Sequence, residues 1–228
     1  MTKPDIAQPE QARPRLGRPP VLEHARDRIV DEAAQLFGQQ GYERSSLAEV
    51  ADKVGVTKAA VYHYFRSKQD IYDAIIIRTL QGLIQEVEQA RDPTLAAPDR
   101  LRQFMLAHAR YFERQYWGFV CMLIGFGGMQ DPGSRSDAKQ LRDNYELMLR
   151  DIIVQGIANG TLRPLDSAVT GRAILSMLNW MVRWYQPDGP RSAEDFAAEY
   201  FDLLILGLLH PEQHNTHPIQ PTPARNIP

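Results

Sequence analysis

The distribution of proline constrains this chain more than any other feature, because a proline interrupts the backbone hydrogen bonding of a helix or a strand. Ten of the 16 prolines lie in two tails, residues 1–20 and residues 211–228. The other six separate long segments with a regular apolar pattern: Pro93, Pro98, Pro132, Pro164, Pro187 and Pro190. We therefore expect disordered tails around a body of long, uninterrupted elements.

Apolar residues in these segments recur with the 3.6-residue period of an α-helix. In the first segment, Ile29, Ala33 and Phe37 share one face of such a helix. Gly41 follows as a stop signal. Later segments keep the same spacing, and none shows the alternation of a β-strand. The pattern predicts an all-α fold.

Composition excludes several classes of protein. The chain is 43% hydrophobic and 24% charged, which is typical of a globular protein. Its longest apolar run, residues 116–129, contains four glycines and is shorter than the roughly 20 residues that cross a bilayer. A single cysteine makes no internal disulfide, and the first residues do not resemble a secretion signal. We expect a cytoplasmic protein that does not enter a membrane.

Residues 45–68 predict two short helices joined by a tight turn. Ser46 followed by Glu49 is a capping box that starts the first helix, and Gly55 ends it. The second helix is expected over residues 57–65. Two short helices joined through a glycine match the helix-turn-helix, whose second helix enters the major groove of DNA.

The second helix carries side chains suited to DNA on the face opposite its apolar residues. Lys58 supplies a cation and Ala59 permits close approach, while Tyr62 and His63 offer hydrogen bonds to phosphates or base edges. Residues 44–68 hold five basic and two acidic side chains, although the whole chain has a net charge of −2. The basic surface is therefore small and local.

Other basic and polar residues extend this predicted surface. Ser46 and Lys68 stand near helix N-termini, where backbone N–H groups attract phosphate. Arg13, Arg15 and Arg18 form a basic arm that would follow a groove or the DNA backbone. Short helical hairpins are also common in all-α proteins. A helical ligand-binding protein or enzyme with an incidental helix-turn-helix is therefore the remote alternative.

The short motifs over residues 25–85 follow one another in an order that is specific enough to indicate a protein family. The motifs occupy residues 29–37, 41–42, 46–51, 55–65 and 67–68. Together they resemble the DNA-binding domain of the TetR family of transcriptional regulators, and the ending Tyr-x-Tyr-Phe-x-x-Lys is the most specific part. Val50 stands where isoleucine is usual, and Ala60 where glycine or threonine often occurs. Neither departure removes a DNA-facing group.

The resemblance implies an organisation for the whole chain. Its parts are a disordered arm (residues 1–24), a DNA-binding domain (residues 25–85, motif about 48–67), an effector-binding and dimerisation domain (residues 86–210) and a disordered tail (residues 211–228). It also implies a homodimer, joined by the last two long helices, that binds double-stranded operator DNA in successive major grooves. Thr57, Lys58, Tyr62 and His63 would touch DNA, with Tyr62 and Lys68 on phosphates.

A polar stripe on the otherwise apolar segment 168–185 is the main candidate for binding an effector. Four polar residues follow helical spacing with two tryptophans beside them: Arg172, Ser176, Asn179 and Arg183, with Trp180 and Trp184. Two cations and two indoles suit an anionic ligand with a flat ring. The alternative is that the stripe faces solvent or the partner subunit.

The same region carries a second resemblance. Its residues are 179–180, 183–185, 187–189, Ser192 and 196–207, and they are similar to TetR-type repressors that sense acyl-coenzyme A (acyl-CoA) thioesters of lipid or sterol catabolism. This implies an acyl-CoA effector; a hydrophobic drug or an aromatic acid is the alternative. An acyl tunnel would be lined by residues that are otherwise plain core: Phe104, Met105, Phe119, Met122, Leu123 and Phe126.

The remaining candidates are better explained by packing. Cys121 lies in an apolar run and is expected to be a buried, inert thiol. His108 lies on an apolar stripe, as a core histidine does. His210, His214 and His217 lack the companions that a metal site needs. The sequence offers no catalytic motif, so we expect no enzyme activity, no cofactor and no metal.

Overall fold

A computed structural model describes residues 24–124 and 128–210 of the chain. These residues form α-helices with one short 3₁₀ turn and no β-strand, so the predicted all-α fold is confirmed. The helices are α1 (Ala25–Gln40), α2 (Leu47–Val54), α3 (Lys58–Tyr64), α4 (Lys68–Gln89), α5 (Ala97–Arg114), α6 (Tyr116–Leu123), α7 (Pro132–Ala158), α8 (Ser167–Trp180) and α9 (Ala193–Leu208). Both predicted tails lie outside the described residues.

Helices α1 to α3 and the first half of α4 form a small N-terminal unit, which we call the head. Its core is apolar, and the side chains buried in it include Ile29, Leu36, Val61 and Ile71. The short helices α2 and α3 bury too little surface to be stable alone. They are held because α2 packs against α1, α3 packs against α2, and Val61 of α3 joins the same apolar core.

The ends of the head helices follow the predicted signals. Ser46 and Glu49 form the capping box at the start of α2, and Gly41 ends α1 with a φ of 88°. Gly55 ends α2 with a φ of 77°, in the left-handed region that favours glycine. Local sequence therefore predicted these boundaries correctly.

The remaining helices form a larger C-terminal unit, which we call the body. Helix α9 lies along α5, and α7 packs against α4, α5 and α8. The body core contains Leu101, Phe112, Phe119, Leu149 and Leu178, all fully buried.

Two helices join the head to the body. Helix α4 runs through both cores without a break: Ile76 and Leu80 pack in the head, whereas Leu83 and Val87 pack in the body. Helix α6 packs against both α1 and α4. The two units are therefore in direct contact, and a boundary at residue 85 falls inside a continuous helix.

The segment 168–185 is not one helix, which corrects the assumption behind the predicted polar stripe. Helix α8 ends at Trp180, and Met181–Arg183 form a 3₁₀ turn. The backbone N–H groups of Trp184 and Tyr185 both donate to the Met181 carbonyl, which tightens the chain. Arg183 therefore does not continue the spacing of Arg172.

None of the described helices is both long enough and apolar enough to cross a membrane.

Candidate DNA-binding surface and effector site

The recognition helix α3 is held on the head by two buried side chains. Val61 is fully buried and Phe65, directly after the helix, is nearly so. Arg26 covers the other side of Phe65, with its guanidinium carbon 5.1 Å from the ring centre. These contacts fix which face of α3 is turned outward.

The outward face of α3 is the one that the sequence predicted. Lys58, Ala59, Tyr62 and His63 are all exposed. The Lys58 ammonium lies 5.8 Å from the centre of the Tyr62 ring. A cation, a small residue and two hydrogen-bonding rings therefore share one solvent-facing surface at the edge of the head.

Ser46 and Thr57 both act as helix caps. The Ser46 hydroxyl accepts a hydrogen bond from the Glu49 N–H at 3.2 Å, and the Thr57 hydroxyl accepts from the Ala60 N–H at 3.1 Å. In each case the hydroxyl oxygen is the acceptor, so its own hydrogen remains available for donation to a phosphate. Capping and phosphate contact are compatible at both positions.

Lys68 has a structural role that the sequence did not reveal. Its ammonium donates to the carbonyl oxygens of Tyr42 at 2.6 Å and Ser45 at 3.0 Å. It also lies 4.1 Å from the centre of the Tyr42 ring. Two of its three N–H groups therefore fix the loop between α1 and α2. A phosphate contact by the third stays a prediction.

The surface around α3 also exposes residues that were not among the predicted DNA contacts. Tyr64 is exposed, and its ring packs edge-on against His63 with 5.2 Å between ring centres. Arg44, Lys53 and Arg66 are also exposed.

The polar stripe of α8 lies on the outside of the subunit. The Arg172 side chain is 67% exposed and pairs with Glu146 at 3.4 Å, and Trp180 is 63% exposed. Asn179 is partly buried, whereas Arg183 is exposed and lies 5.6 Å from the Trp180 ring centre. One subunit therefore does not enclose a ligand among these side chains.

Trp184 belongs to a separate aromatic group. Its ring packs edge-on against Phe196 at 4.9 Å, and the Arg191 guanidinium lies 4.3 Å from the centre of the Phe196 ring. Arg191 is held by Glu199, with one N–O distance of 2.7 Å. The Arg191 charge is thus already paired.

The predicted tunnel residues divide into three groups. Phe104, Met105 and Phe119 are buried in the body core. Met122 and Leu123 are partly buried at the end of α6. Phe126 lies outside the described residues. The three residues of the first group belong to one apolar core, in which the centres of the Phe119 and His108 rings are 5.6 Å apart.

A buried polar pair lies in the middle of these aromatic rings. His108 Nδ1 and the Tyr145 hydroxyl are 2.8 Å apart and share a hydrogen bond, while His108 Nε2 has no partner among the described residues. Burial lowers the pKa of His108 to about 3 and raises that of Tyr145. The pair is therefore neutral near pH 7.

Cys121 fits the expectation of an inert thiol. It is buried, and burial raises the pKa of its thiol to about 12. Its carbonyl accepts a hydrogen bond from the Tyr72 hydroxyl at 2.7 Å. In the described parts of the chain, no three His, Cys, Asp or Glu side chains are grouped to hold a metal ion. His214 and His217 lie outside those parts.

A cavity of about 110 Å³ lies where the C-terminal end of α4 meets α5 and α7. Val87, Phe104 and Met148 form part of its apolar lining, and Arg100 and Gln103 contribute polar groups. Of these, only Phe104 had been predicted. Arg100 and Gln103 are polar residues beside the apolar stripe of α5, and their spacing alone does not distinguish them from solvated residues.

Two protein-family models match the regions that build these sites. Residues 29–75 match the model described as "Bacterial regulatory proteins, tetR family". Residues 94–208 match the model described as "Tetracyclin repressor-like, C-terminal domain". The two matches cover most of the head and nearly all of the body.

Similar proteins agree with these matches. The crystal structure of PfmR, a TetR family transcriptional regulator from Thermus thermophilus, is 46% identical with a TM-score of 0.75, and the alignment covers 79% of this chain and 98% of PfmR. The transcriptional repressor KstR2 of Mycolicibacterium smegmatis is 26% identical over 184 residues, 80% of this chain and 90% of KstR2. AibR, solved in complex with isovaleryl coenzyme A and operator DNA, is 25% identical with a TM-score of 0.69, covering 83% of this chain and 99% of AibR.

Proposed function

Because the chain belongs to the TetR family of bacterial regulatory proteins, we propose that it represses transcription at an operator and releases that operator when an acyl-CoA thioester binds its body. The head then recognises DNA, and the body senses the effector. The exposed face of α3 is the observation that carries the DNA-binding half of this proposal.

Helix α3 meets the requirements for reading a major groove. Its outward residues combine a cation with hydrogen-bonding rings, and Val61 and Phe65 keep that face fixed. In a homodimer, two such helices would meet successive major grooves roughly 34–36 Å apart. Lys58, Tyr62 and His63 would contact DNA, with backbone phosphates also held by Ser46 and Thr57.

The test of DNA binding uses two variants of α3. Lys58→Ala and Tyr62→Ala should each abolish most retardation of operator DNA while the dimer stays intact. Lys139→Ala removes the same charge from an exposed site on α7 and serves as the matched control. Unchanged retardation by both α3 variants would refute the assignment of α3 as the recognition helix.

The similarity of this chain to AibR supports an acyl-CoA effector. AibR, which this chain covers almost completely, is described in complex with isovaleryl coenzyme A. The second candidate is a hydrophobic drug or an aromatic acid, which the apolar lining around Phe104 would also suit. A thermal-shift screen separates the two, because a ligand at 100 times its Kd stabilises the fold by about 2.7 kcal/mol.

Operator release follows from the way the head is attached. Helix α4 is about 33 Å long and reaches from the head to the cavity in the body. A ligand that binds more tightly to the conformer with displaced heads shifts the population toward that conformer. The resulting loss of operator affinity is limited by the difference between the ligand's affinities for the two conformers. Packing of α6 on both α1 and α4 gives a second route for the same coupling.

The outer residues of α8 and the turn after it remain candidates for binding the nucleotide of the thioester. Because Arg172, Trp180, Arg183 and Trp184 are exposed, they would meet its phosphates and adenine at the surface, with Asn179 beside them. Arg172→Ala and Arg183→Ala should then weaken binding of a confirmed thioester. Equal affinity in both variants would remove these residues from the effector site.

We also propose that the protein has no catalytic activity and acts in the cytoplasm, where operator DNA is found. The relatives reported above are named as transcriptional regulators or repressors. A helical ligand-binding protein with an incidental helix-turn-helix would bind its ligand with little dependence on salt. Operator binding that falls steeply with salt concentration supports the regulator instead.

A further inference from the structure

The cavity between α4, α5 and α7 contains two polar groups that the protein leaves unsatisfied. Arg100 Nε and Gln103 Oε1 are buried and have no hydrogen-bond partner among the described residues. Both residues line the cavity and lie three positions apart on one face of α5. Buried polar atoms in native proteins normally have a hydrogen-bond partner, so we expect a bound group to supply partners for these two atoms.

The two atoms have opposite requirements. Arg100 Nε is a donor and needs an acceptor, whereas Gln103 Oε1 is an acceptor and needs a donor. Arg100 is already oriented, because its Nη1 donates to Gln155 Oε1 at 2.8 Å. A single ligand group that both accepts and donates would satisfy the pair.

The charge around the cavity argues against an anionic group. Arg91 and Arg100 contribute two positive charges, and Glu88, Asp92 and Asp151 contribute three negative ones. Such a lining does not concentrate phosphate or carboxylate. Apart from Gln103 and Gln155, its remaining lining residues are apolar and suit an aliphatic chain.

We propose that this cavity is a subsite for a secondary amide attached to an aliphatic chain. The amide oxygen accepts from Arg100 Nε, the amide N–H donates to Gln103 Oε1, and the chain packs against Phe104, Met148 and Val87. The subsite rests on the proposed acyl-CoA response, because the pantetheine arm of such a thioester carries two secondary amides. A free N-alkyl amide offers the same group without a nucleotide.

The position of the subsite links it to the head. Val87, at the end of α4, lines the cavity, and the same helix begins at Lys68 in the head. Filling the cavity therefore acts directly on the helix that carries the DNA-binding unit. Occupancy by the amide arm is expected to bias the orientation of α4.

Calorimetric titration of the full-length dimer tests the subsite with three probes: isovaleryl coenzyme A, isovaleryl-pantetheine and isovalerate, which has no amide. Gln103→Leu should weaken binding of the first two at least tenfold. Its operator affinity without ligand should stay unchanged. Its Tm should not fall, because the substitution removes an unpaired buried acceptor. Arg102→Leu, at an exposed position of the same helix, is the matched control and should bind like the wild type.

The outcomes separate the subsite from the proposed function. The subsite would be overturned if Gln103→Leu and the wild type bound isovaleryl-pantetheine with equal affinity. It would also be overturned if the wild type bound isovalerate as tightly as isovaleryl-pantetheine. If no thioester releases operator DNA, the proposed effector is wrong. N-butylacetamide binding that still depends on Gln103 would then uphold the amide subsite alone. Failure of both the thioesters and N-butylacetamide to bind would overturn the two together.

Discussion

At the residue scale, Lys68 shows that the role of a side chain depends on the groups that it contacts. Lys68 was predicted as a phosphate contact because it stands at the start of a helix. The structure shows that its ammonium donates to two backbone carbonyls and lies over the Tyr42 ring, while the phosphate contact stays a prediction. Those carbonyls lie 23 and 26 positions away in sequence, so no local pattern could reveal them.

Lys68→Met keeps the aliphatic stem and removes the ammonium. We predict that it lowers the free energy of unfolding by about 1–2 kcal/mol, since hydrogen bonds from a charged donor are lost. Urea unfolding measures this change, with Lys53→Met at an exposed position as the control. Unchanged stability together with weaker operator binding would assign Lys68 to DNA contact alone.

The buried His108 predicts a pH dependence of stability. Its pKa is about 3 in the fold and about 6.5 in an unfolded chain, so the unfolded chain binds more protons between these values. The free energy of unfolding therefore falls as the pH drops below about 6.5, by up to roughly 1.4 kcal/mol per pH unit from this residue.

The double variant His108→Leu/Tyr145→Phe removes this contribution without leaving an unpaired hydroxyl. Chemical unfolding between pH 4 and pH 7 should show a shallower dependence on pH for the double variant than for the wild type. Tyr145→Phe alone keeps the histidine and should keep the steep dependence. Identical slopes in all three proteins would contradict the assignment.

At the element scale, the head contacts the body where α1 and α6 approach each other closely. A Cβ at Gly38 of α1 would lie 2.5 Å from Cε3 of Trp117 on α6, which is closer than packed atoms allow. Glycine is therefore required here by proximity and not by backbone conformation. Cys121 adds a contact between the same two helices, because its Sγ lies 3.5 Å from the Ala34 carbonyl oxygen.

Gly38→Ala should force the Trp117 ring to move and lower the free energy of unfolding by about 1–3 kcal/mol. The double variant Gly38→Ala/Trp117→Leu makes room for the new methyl group. Its stability loss should be smaller than the sum of the two single losses, as a double-mutant cycle reports. Strict additivity would mean that α1 and α6 do not meet at this point.

At the scale of the whole molecule, the exposed apolar residues of α8 and α9 are explained by a partner subunit. On α9, Leu203 is 76% exposed and Leu206 is also exposed, and on α8 Val169 is 62% exposed. Large apolar side chains clustered on a surface usually mark an interface. The homodimer expected for this family uses its last two long helices, which are α8 and α9 here.

Leu203→Glu should therefore shift the protein toward monomers in light scattering and weaken operator binding strongly, because one head makes too few contacts. Gln85→Glu adds the same charge at an exposed position of α4 and should leave a dimer. A fully dimeric Leu203→Glu protein would show that α9 does not form the interface.

Much of the fold was predictable because its signals are local. The capping box of Ser46 and Glu49, the stop at Gly41 and the outward face of α3 depend on residues within about four positions of one another. Family membership was predictable for the same reason, since the motifs of residues 25–85 are contiguous. Lys58, Tyr62 and His63 could therefore be placed on one face before any coordinates.

Residue spacing and capping signals were enough to predict the helical class, most limits of the head helices and the chemistry of the recognition helix. The tertiary structure alone decided that α8 stops at Trp180, that Arg172 and Trp180 face outward, and that Arg100 and Gln103 line a cavity. Helical period and capping act over one or two turns of a chain. Burial and pairing depend on which distant helices pack together, and that information is not present in the spacing of residues.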